Sequence, residues 1–436
     1  MVNLSHLKVT LDNGLDVIVH ENHECPIVAV NVWYHVGSKN ERPGRTGFAH
    51  LFEHLMFEGS AHHDSGYFRP LQEAGGALNG STNADRTNYW EVVPRDALDR
   101  ALWMESDRMG YLLSALTQTK LDTQRDVVLN ERRQTYENRP YGFAGVAMMA
   151  AHFPMPHPYH WPTIGFPNDI RAASLDDVRE FFTAYYHPAN ASLSIAGDVV
   201  AKEVIATVAE YFSEITGGPT YDTVAAPRYQ GRAGAKLRLD DQVELPRLYL
   251  SWPSPALFGA GDAELDLVAD VLGGGKSSRL YRALLHDRQM ATDVSVHQGS
   301  QELSGLFSVV ATAAPEHTLS DVEAVVTDEI ARVASDGVTE EELHRARSRL
   351  EADFAWRQQS VGGFGGISDQ LNAYNVFAGT PSFFTADFDR YVRVTAASLC
   401  EVVTNVLSSD TRIALSVVPR GDGDAALADS APLEMG

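Results

Sequence analysis

Short apolar runs with strand character open the chain. Three strands are predicted, at Leu7–Leu11, Leu15–Val19 and Ile27–Tyr34, and Asp12–Gly14 has the composition of a turn between the first two. Apolar residues at helical spacing then predict a helix over Thr46–Phe57, with Thr46 as its N-cap. The remaining elements of this half are a strand pair within Ala77–Val93, helices at Pro94–Leu116, Thr119–Tyr136 and Leu175–Tyr186, and a strand at Ala191–Ile195.

The second half repeats this mixture of strands and helices in the same order. It contains predicted strands at Arg247–Trp252, within Val294–Val310 and at Arg412–Val418, and helices at Asp262–Leu272, Leu319–Val333, Thr339–Trp356 and Ala396–Val406. Between the halves, Thr216–Arg228 is rich in turn-forming residues and lacks periodicity. We therefore expect an α+β protein with two homologous lobes, each a mostly antiparallel sheet flanked by helices. The predicted domains are residues 1–215 and 233–436, joined by a linker at 216–232.

Length and composition agree with two globular domains. The chain has 436 residues, of which 44% are hydrophobic and 21% charged, enough apolar material for two cores. Apolar stretches are interrupted well before the ~20 residues that a bilayer requires, and the first residues lack a signal-peptide pattern. We expect a soluble cytoplasmic chain that does not insert into membranes.

Charge and cysteine content narrow the functional classes. With 58 acidic and 35 basic residues, the formal charge of −23 disfavours nucleic acid binding and favours basic or extended polypeptide partners. Plain solubility is an equally simple reason for that charge. Cys25 and Cys400 are the only cysteines and lie almost a full chain apart, which argues against a disulfide framework and against thiolate zinc ligands.

The predicted helix at Thr46–Phe57 carries the motif His50-Leu-Phe-Glu53-His54. Two histidines four residues apart lie about 40° apart around a helix axis, so both imidazoles can reach one ion. A catalytic zinc ion takes three protein ligands and activates a water molecule, and Glu53 stands where a carboxylate can accept the proton of that water. This reversed order is typical of inverzincins. Chance occurrence is the alternative, but polar groups in so apolar a helix are costly unless they are paired or bind metal.

A third ligand is expected on another element. Glu131 follows Val127 by four residues and Val128 by three in a predicted helix, which would place its carboxylate on an apolar stripe. From the residues alone, Glu131 is one candidate among 58 acidic side chains, most of which are solvated in any protein.

Two segments resemble the pitrilysin and insulinase metallopeptidases, and among these the short two-lobed members related to mitochondrial processing peptidase. They are Gly47–Gly59, and Asp126–Gln134 followed by Asn138–Gly142. In this family a Glu about 76 residues after the second His is the third zinc ligand, and 76 residues lie between His54 and Glu131 here. The resemblance thus implies one zinc ion per chain held by His50, His54 and Glu131, with Glu53 as general base.

The same resemblance extends to substrate binding. Gly75–Thr82 is similar to the family's edge strand, along which peptide substrates add as a further strand. This implies that Asn79, Gly80 and Ser81 contact the peptide backbone. Without the resemblance, these residues would be interpreted as an ordinary Gly/Asn turn.

Two other motifs do not indicate further sites. Gly273–Ser277 looks like part of a phosphate loop, but Asp270 replaces the required glycine and a helix precedes it, so nucleotide binding is rejected. It is similar instead to the glycine-rich turn that precedes Ser278–Tyr281 in this family. His152, His157 and His160 are predicted to be surface or packing histidines, because prolines surround them.

The second half departs from the family pattern. Active members carry an Arg and a Tyr seven residues apart that reach the substrate carbonyl, whereas Leu285 and Thr292 occupy these positions here. The resemblance therefore implies the zinc-bearing subunit of a heterodimer, whose paralogous partner supplies Arg and Tyr. A local realignment that brings in Arg282 or Arg288 remains the alternative, and a monomer or homodimer would then suffice.

The predicted function is zinc-dependent endopeptidase activity on extended peptides or unfolded polypeptide segments. A structural or assembly subunit with little hydrolytic activity is the alternative, as in family members that have lost the zinc motif. A metal-binding protein without hydrolysis is a third class, but Glu53 would have no role in it.

Overall fold

A computed structural model describes residues 4–219, 224–225, 227 and 229–433. The chain forms two compact units, each with one six-stranded sheet. The first unit comprises Met1–Glu131, Trp161–Val224 and Asp353–Thr385, and the second comprises Arg132–His160, Ala225–Ala352 and Ala386–Gly436. Residues 220–223, 226 and 228 of the predicted linker lie outside the described residues.

The sheet of the first unit has the strand order β1-β2-β6-β3-β5-β4. Only β2 and β6 are parallel, and β4 is an edge strand that pairs with β5 alone. The strands are β1 Leu7–Thr10, β2 Asp16–Glu21, β3 Ile27–Tyr34, β4 Ala77–Thr82, β5 Thr87–Pro94 and β6 Ala191–Gly197. The main helices are α1 Phe48–Leu55, α2 Phe68–Glu73, α3 Leu98–Ala115, α4 Gln118–Arg132, α6 Pro167–Ala172, α7 Leu175–Tyr185, α8 Ala201–Phe212 and α12 Ile367–Phe377.

The sheet of the second unit has the order β12-β7-β11-β8-β10-β9. Its strands are β7 Lys236–Asp241, β8 Arg247–Ser254, β9 Ala291–Ser300, β10 Gly305–Ala313, β11 Ile413–Pro419 and β12 Ala431–Pro432. The accompanying helices are α5 Ala144–His152, α9 Asp262–Gly273, α10 Leu319–Asp336, α11 Glu340–Arg357, α13 Phe384–Val392 and α14 Ala396–Val406. In the described part of the chain, no helix combines the length and apolar content needed to cross a bilayer.

Five strands of each sheet share one topology, which confirms the predicted fold of two homologous α+β lobes. In each sheet a parallel pair, β2–β6 or β7–β11, lies next to the antiparallel strands, and the outermost strand of the final hairpin forms an edge. The sixth strand differs, because β1 is antiparallel to β2 whereas β12 is parallel to β7. Between β8 and β9, helix α9 takes the place that α1 holds between β3 and β4. Helix α9 contains no histidine, so the His-x-x-Glu-His motif of α1 has no counterpart in α9.

The units are not contiguous in sequence, unlike the predicted division at residues 216–232. Helix α12 follows most of the second sheet in the chain but packs on β3 and β6 of the first. Conversely, α5 precedes the second sheet and packs its Ala147 and Met148 against Leu415 of β11. Hydrophobic periodicity shows that a helix has an apolar face without showing which sheet will cover it.

Most predicted elements are present within a few residues of their expected bounds, and the differences are elements that were not predicted. No element was predicted at α2, α5, α6, α8, α12 or α13, nor at β7 or β12. Helix α5 illustrates the reason, because its sequence Ala-Gly-Val-Ala-Met-Met-Ala-Ala-His is apolar on every side and has no amphipathic stripe.

Candidate metal centre

Helix α1 starts from a left-handed residue, not from a hydroxyl cap. Gly47 is the N-cap, with φ of +85°, and a Cβ atom there would lie 2.7 Å from the carbonyl oxygen of Ile164. The prediction that Thr46 caps the helix is therefore wrong. The Thr46 hydroxyl donates instead to Asp169 at 2.7 Å. Only glycine combines this backbone conformation with so close an approach.

The free amides of the first turn are bound by a carboxylate that precedes the helix. Glu41 accepts hydrogen bonds from Gly47 N at 2.8 Å and from Ala49 N at 2.9 Å. Glu41 is buried, and burial raises the pKa of its carboxyl to about 8, while the amides of Ala49 and Gly47 act in the opposite direction. The start of the motif helix is therefore fixed by a residue six positions before its N-cap.

One face of α1 is buried in an aromatic core. Phe48, Leu51, Phe52 and Leu55 are all buried, as predicted. The Phe52 ring stacks on Tyr186 with 5.0 Å between ring centroids. This burial fixes the rotation of the helix and leaves His50, Glu53 and His54 on its half-exposed side.

The structure brings His50, His54 and Glu131 together, with one ligand atom of each within 4.8 Å of the others. Oε2 of Glu131 lies 3.3 Å from Nε2 of His54 and 3.6 Å from Nε2 of His50. Ligand atoms around a tetrahedral zinc ion with bonds of ~2.0–2.1 Å are roughly 3.3 Å apart. The three side chains therefore fit a zinc ion in their donor types and their spacing.

The surroundings of Glu131 on α4 differ in one respect from those predicted from the sequence. Val127 is 40% exposed, so the expectation that it belongs to an inward stripe with Glu131 is wrong. Val128 is buried, and Glu131 is half-buried near the end of α4.

The protonation states of the ligand set suit a metal ion. Burial, reinforced by the neighbouring His54, lowers the pKa of His50 to about 4, so its imidazole is neutral. A hydrogen bond from His54 lowers the pKa of Glu131, which favours the carboxylate. Neutral imidazole and ionised carboxylate are the forms that bind zinc.

Glu53 lies beside this cluster and outside it. Burial raises its pKa, while the Thr82 hydroxyl and His54 act in the opposite direction. A carboxylate with a raised pKa next to a metal site is suited to accepting and returning a proton.

The three predicted substrate contacts, Asn79, Gly80 and Ser81, lie on the edge strand β4, but their backbone groups do not all face the open edge. Asn83 N donates to the Arg86 carbonyl at 3.0 Å, and this hydrogen bond closes the β4–β5 hairpin. From there along the hairpin, residue pairs joined by backbone hydrogen bonds alternate with pairs that are not. The backbone of Ser81 therefore pairs with Asn88 of β5. The N–H and C=O of Gly80 point to the open edge of the sheet.

Side chains on β4 are engaged within the unit. Asn79 Oδ1 accepts the outward N–H of Gly80 at 2.8 Å, and the Ser81 hydroxyl donates to Asn88 at 2.7 Å. Arg86 also donates to the Ser81 carbonyl at 2.7 Å. Of the three predicted contacts, Gly80 is the one whose backbone faces the open edge, and its N–H is already bonded to Asn79 in this conformation.

A buried ionic network below the hairpin has no counterpart in the predictions. The Arg108 guanidinium lies between the rings of Tyr67 and Tyr89, 4.0 and 4.1 Å from their centroids, and pairs with Glu105 and Glu91. In the sequence Arg108 is an ordinary polar residue of an amphipathic helix, and no local signal distinguishes it.

The remaining residues considered from sequence lie in the second unit. His152 is fully buried and bonded to Tyr229 at 2.8 Å and Ser251 at 2.6 Å, which is a packing role. Leu285 lies half-buried in the π-helical turn Tyr281–Asp287, and Thr292 is exposed on β9.

Comparison with known proteins gives two family matches. Residues 16–152 match the profile described as insulinase (peptidase family M16), and residues 172–350 match the peptidase M16 inactive domain. The second description fits a half of the chain without the zinc motif.

Several related proteins carry zinc protease in their names. The zinc protease PqqE of Helicobacter pylori is 29% identical over 369 residues, covering 83% of this chain and 82% of that protein. An uncharacterised zinc protease of Mycobacterium leprae is 30% identical over 350 residues, covering 79% and 77%. Among solved structures, a protease from Helicobacter pylori superposes with a TM-score of 0.86 at 26% sequence identity. The superposition covers 96% of this chain and 100% of that one.

Proposed function

Since the chain belongs to the insulinase family of peptidases, family M16, we propose that it is a zinc-dependent endopeptidase acting on extended peptides or unfolded polypeptide segments. The observation that best supports this is the convergence of His50, His54 and Glu131 at the spacing of a zinc coordination shell, with Glu53 adjacent.

The division of chemical roles follows from the donor groups. His50, His54 and Glu131 would hold the zinc ion, which when bound acidifies water and polarises the carbonyl to be attacked. Glu53 takes a proton from the attacking water at its carboxylate and passes it to the leaving nitrogen of the peptide. Burial raises the pKa of this carboxyl, which makes the carboxylate a stronger base for that proton.

Substrate binding is proposed at the open edge of β4. An extended peptide there would receive a hydrogen bond from Gly80 N once the Asn79 side chain moves away, and would bond to the Gly80 carbonyl. Backbone pairing of this kind selects extended chains and excludes folded ones.

We further propose that full activity needs a second, paralogous chain. Neither Leu285 nor Thr292 can donate a hydrogen bond with the reach of the Arg and Tyr that active relatives place there. Loss of such oxyanion contacts commonly costs about 3 kcal/mol, or roughly 100-fold in rate. A partner that carries this pair would complete the site.

The test uses fluorogenic peptides and four preparations of the full chain: wild type, Glu53→Gln, the double variant Leu285→Arg with Thr292→Tyr, and wild type mixed with a zinc-free paralogue carrying the Arg and Tyr. We expect weak hydrolysis by the wild type, none by Glu53→Gln, and a gain of at least about 10-fold in the last two. Rapid turnover by the rigorously purified wild-type chain contradicts the divided site. Absence of hydrolysis in every preparation contradicts the peptidase and supports an assembly subunit.

A further inference from the structure

A peptide that adds to the open edge of β4 has two sets of side chains, one on each face of the sheet. Successive side chains of a strand point to opposite faces of its sheet, and an added strand follows the same alternation. On one face of β4, a Cβ atom at Gly80 would lie 3.2 Å from the Phe57 ring, beside the motif helix. The opposite face carries the side chains of Asn79 and Ser81, in register with Trp90 and Asn88 of β5.

An exposed aromatic residue lies on this opposite face. Phe364 belongs to the segment Gly362-Gly-Phe-Gly-Gly366 and packs its ring edge-on against Trp90, with 5.5 Å between centroids. It is 52% exposed, although a phenylalanine with a purely packing role is normally buried. Trp90 is the direct neighbour of Asn79 across the hairpin.

The glycine segment is anchored at both ends. A Cβ atom on Gly362 would lie 2.4 Å from that of Ala29 in β3, so the backbone there is in direct contact with the sheet. At the other end, Asp369 of α12 accepts the N–H of Gly365 at 2.8 Å and the amide of Asn88 at 3.1 Å.

The two glycines on either side of Phe364 have free space around them. Gly363 and Gly365 have φ of +83° and +72°, and a Cβ atom at either position would meet nothing within 4 Å. These glycines are therefore required by the backbone conformation that presents Phe364 and not by close packing.

We propose that Phe364 is a specificity-determining residue that, with Trp90, binds large apolar side chains at every second position of the peptide. This deepens the proposed peptidase function and rests on it. The charged groups of this face do not compete for that role, because Asp369 is bonded to Trp33 and Asn88, and Arg86 to Ser81. The substrate class is thus extended segments with apolar residues on the side remote from the zinc ligands.

The test separates binding from cleavage by using the zinc-loaded, full-length Glu53→Gln protein. A peptide of fixed length is scanned by replacing one Ala at a time with Leu, and affinities are measured by fluorescence anisotropy. We expect Leu to improve affinity about 10-fold at alternate positions on the Trp90 face, and Phe364→Ala to abolish the gain at those positions only. Trp356→Ala, which removes a 65% exposed aromatic residue near the end of α11, outside the glycine segment, is the matched control and should preserve the pattern.

If Phe364→Ala lowers the affinity for the Leu-substituted peptides equally at all positions, or at no position, the proposed subsite is wrong. This result does not depend on hydrolysis. If the alternating pattern is found but neither the partner mixture nor the Leu285→Arg, Thr292→Tyr variant cleaves any peptide, the subsite is supported and the peptidase proposal fails.

Discussion

Nε2 of His54 and Oε2 of Glu131 lie 3.3 Å apart, although 76 residues separate them in the chain. Helices α2 and α3, strands β4 and β5 and most of α4 intervene, so this contact depends on how the first unit folds. It also means that the proposed zinc site can be impaired by changes in either of two elements, α1 or α4.

Replacing a ligand should remove zinc without unfolding the chain. We expect His50→Ala and His54→Ala to lose stoichiometric zinc after dialysis, and Glu131→Gln to bind it more weakly, because a three-ligand site loses a donor. Zinc content by mass spectrometry checks this, with circular dichroism to verify folding. His62→Ala, an exposed histidine bonded to Asp107 instead of the cluster, is the matched control. Full zinc occupancy in His50→Ala would falsify the ligand assignment.

Changing Glu53 should separate metal binding from catalysis. Glu53→Gln retains zinc, because Glu53 is not a ligand in the proposed set, and loses at least about 100-fold in kcat through loss of the general base. The rate is measured in the preparation that is active on fluorogenic peptides. Glu73→Gln, an exposed carboxylate paired with Arg69, should behave as the wild type. Near wild-type turnover by Glu53→Gln is incompatible with the mechanism.

Removing the carboxylate cap should destabilise the motif helix. Glu41→Ala leaves the amides of Gly47 and Ala49 without their partner in a buried position, at a cost of about 2 kcal/mol. We expect a lower urea midpoint and weaker zinc binding together, since α1 carries two of the ligands. Glu24→Ala, at an exposed carboxylate, should change neither quantity. An unchanged midpoint in Glu41→Ala would show that other contacts fix the helix start.

A buried carboxyl in the second unit should make stability depend on pH. Burial raises the pKa of Asp266 to about 7, with Asp262 adding to the effect and a hydrogen bond from Tyr391 opposing it. The folded state thus favours the protonated form. The resulting stability is fully present below the ordinary aspartate pKa of about 4 and is lost as pH rises through about 7, at roughly 1 kcal/mol per pH unit between these values.

The variant Asp266→Asn keeps an acceptor for the Tyr391 hydroxyl and cannot ionise. Its unfolding free energy, from urea titrations between pH 5 and 8, should fall less steeply with pH than that of the wild type. Glu264→Gln in the same helix serves as the control and should retain the wild-type slope. Identical slopes for wild type and Asp266→Asn would exclude this carboxyl as the source.

Local patterns were sufficient for many elements. The helix over Leu175–Tyr186 and the buried face of α1 were predicted because the spacing of their apolar side chains is unambiguous. The N-cap of α1 was predicted wrongly, because a hydroxyl at Thr46 satisfies the sequence rule while the chain uses Gly47 and the distant Glu41.

The sequence by itself determined the spacing of His50, Glu53 and His54 on one helix, since neighbours three and four residues apart share a helix face wherever the helix lies. It also determined the repeated order of strands and helices. Only the tertiary structure decided that Glu131 meets the two histidines, that Gly80 presents its backbone to the open edge, and that α12 carries Asp369 onto the first sheet. These features depend on contacts between residues far apart in the chain, and hydrophobic periodicity, which fixes the inward face of an element, does not specify its partner.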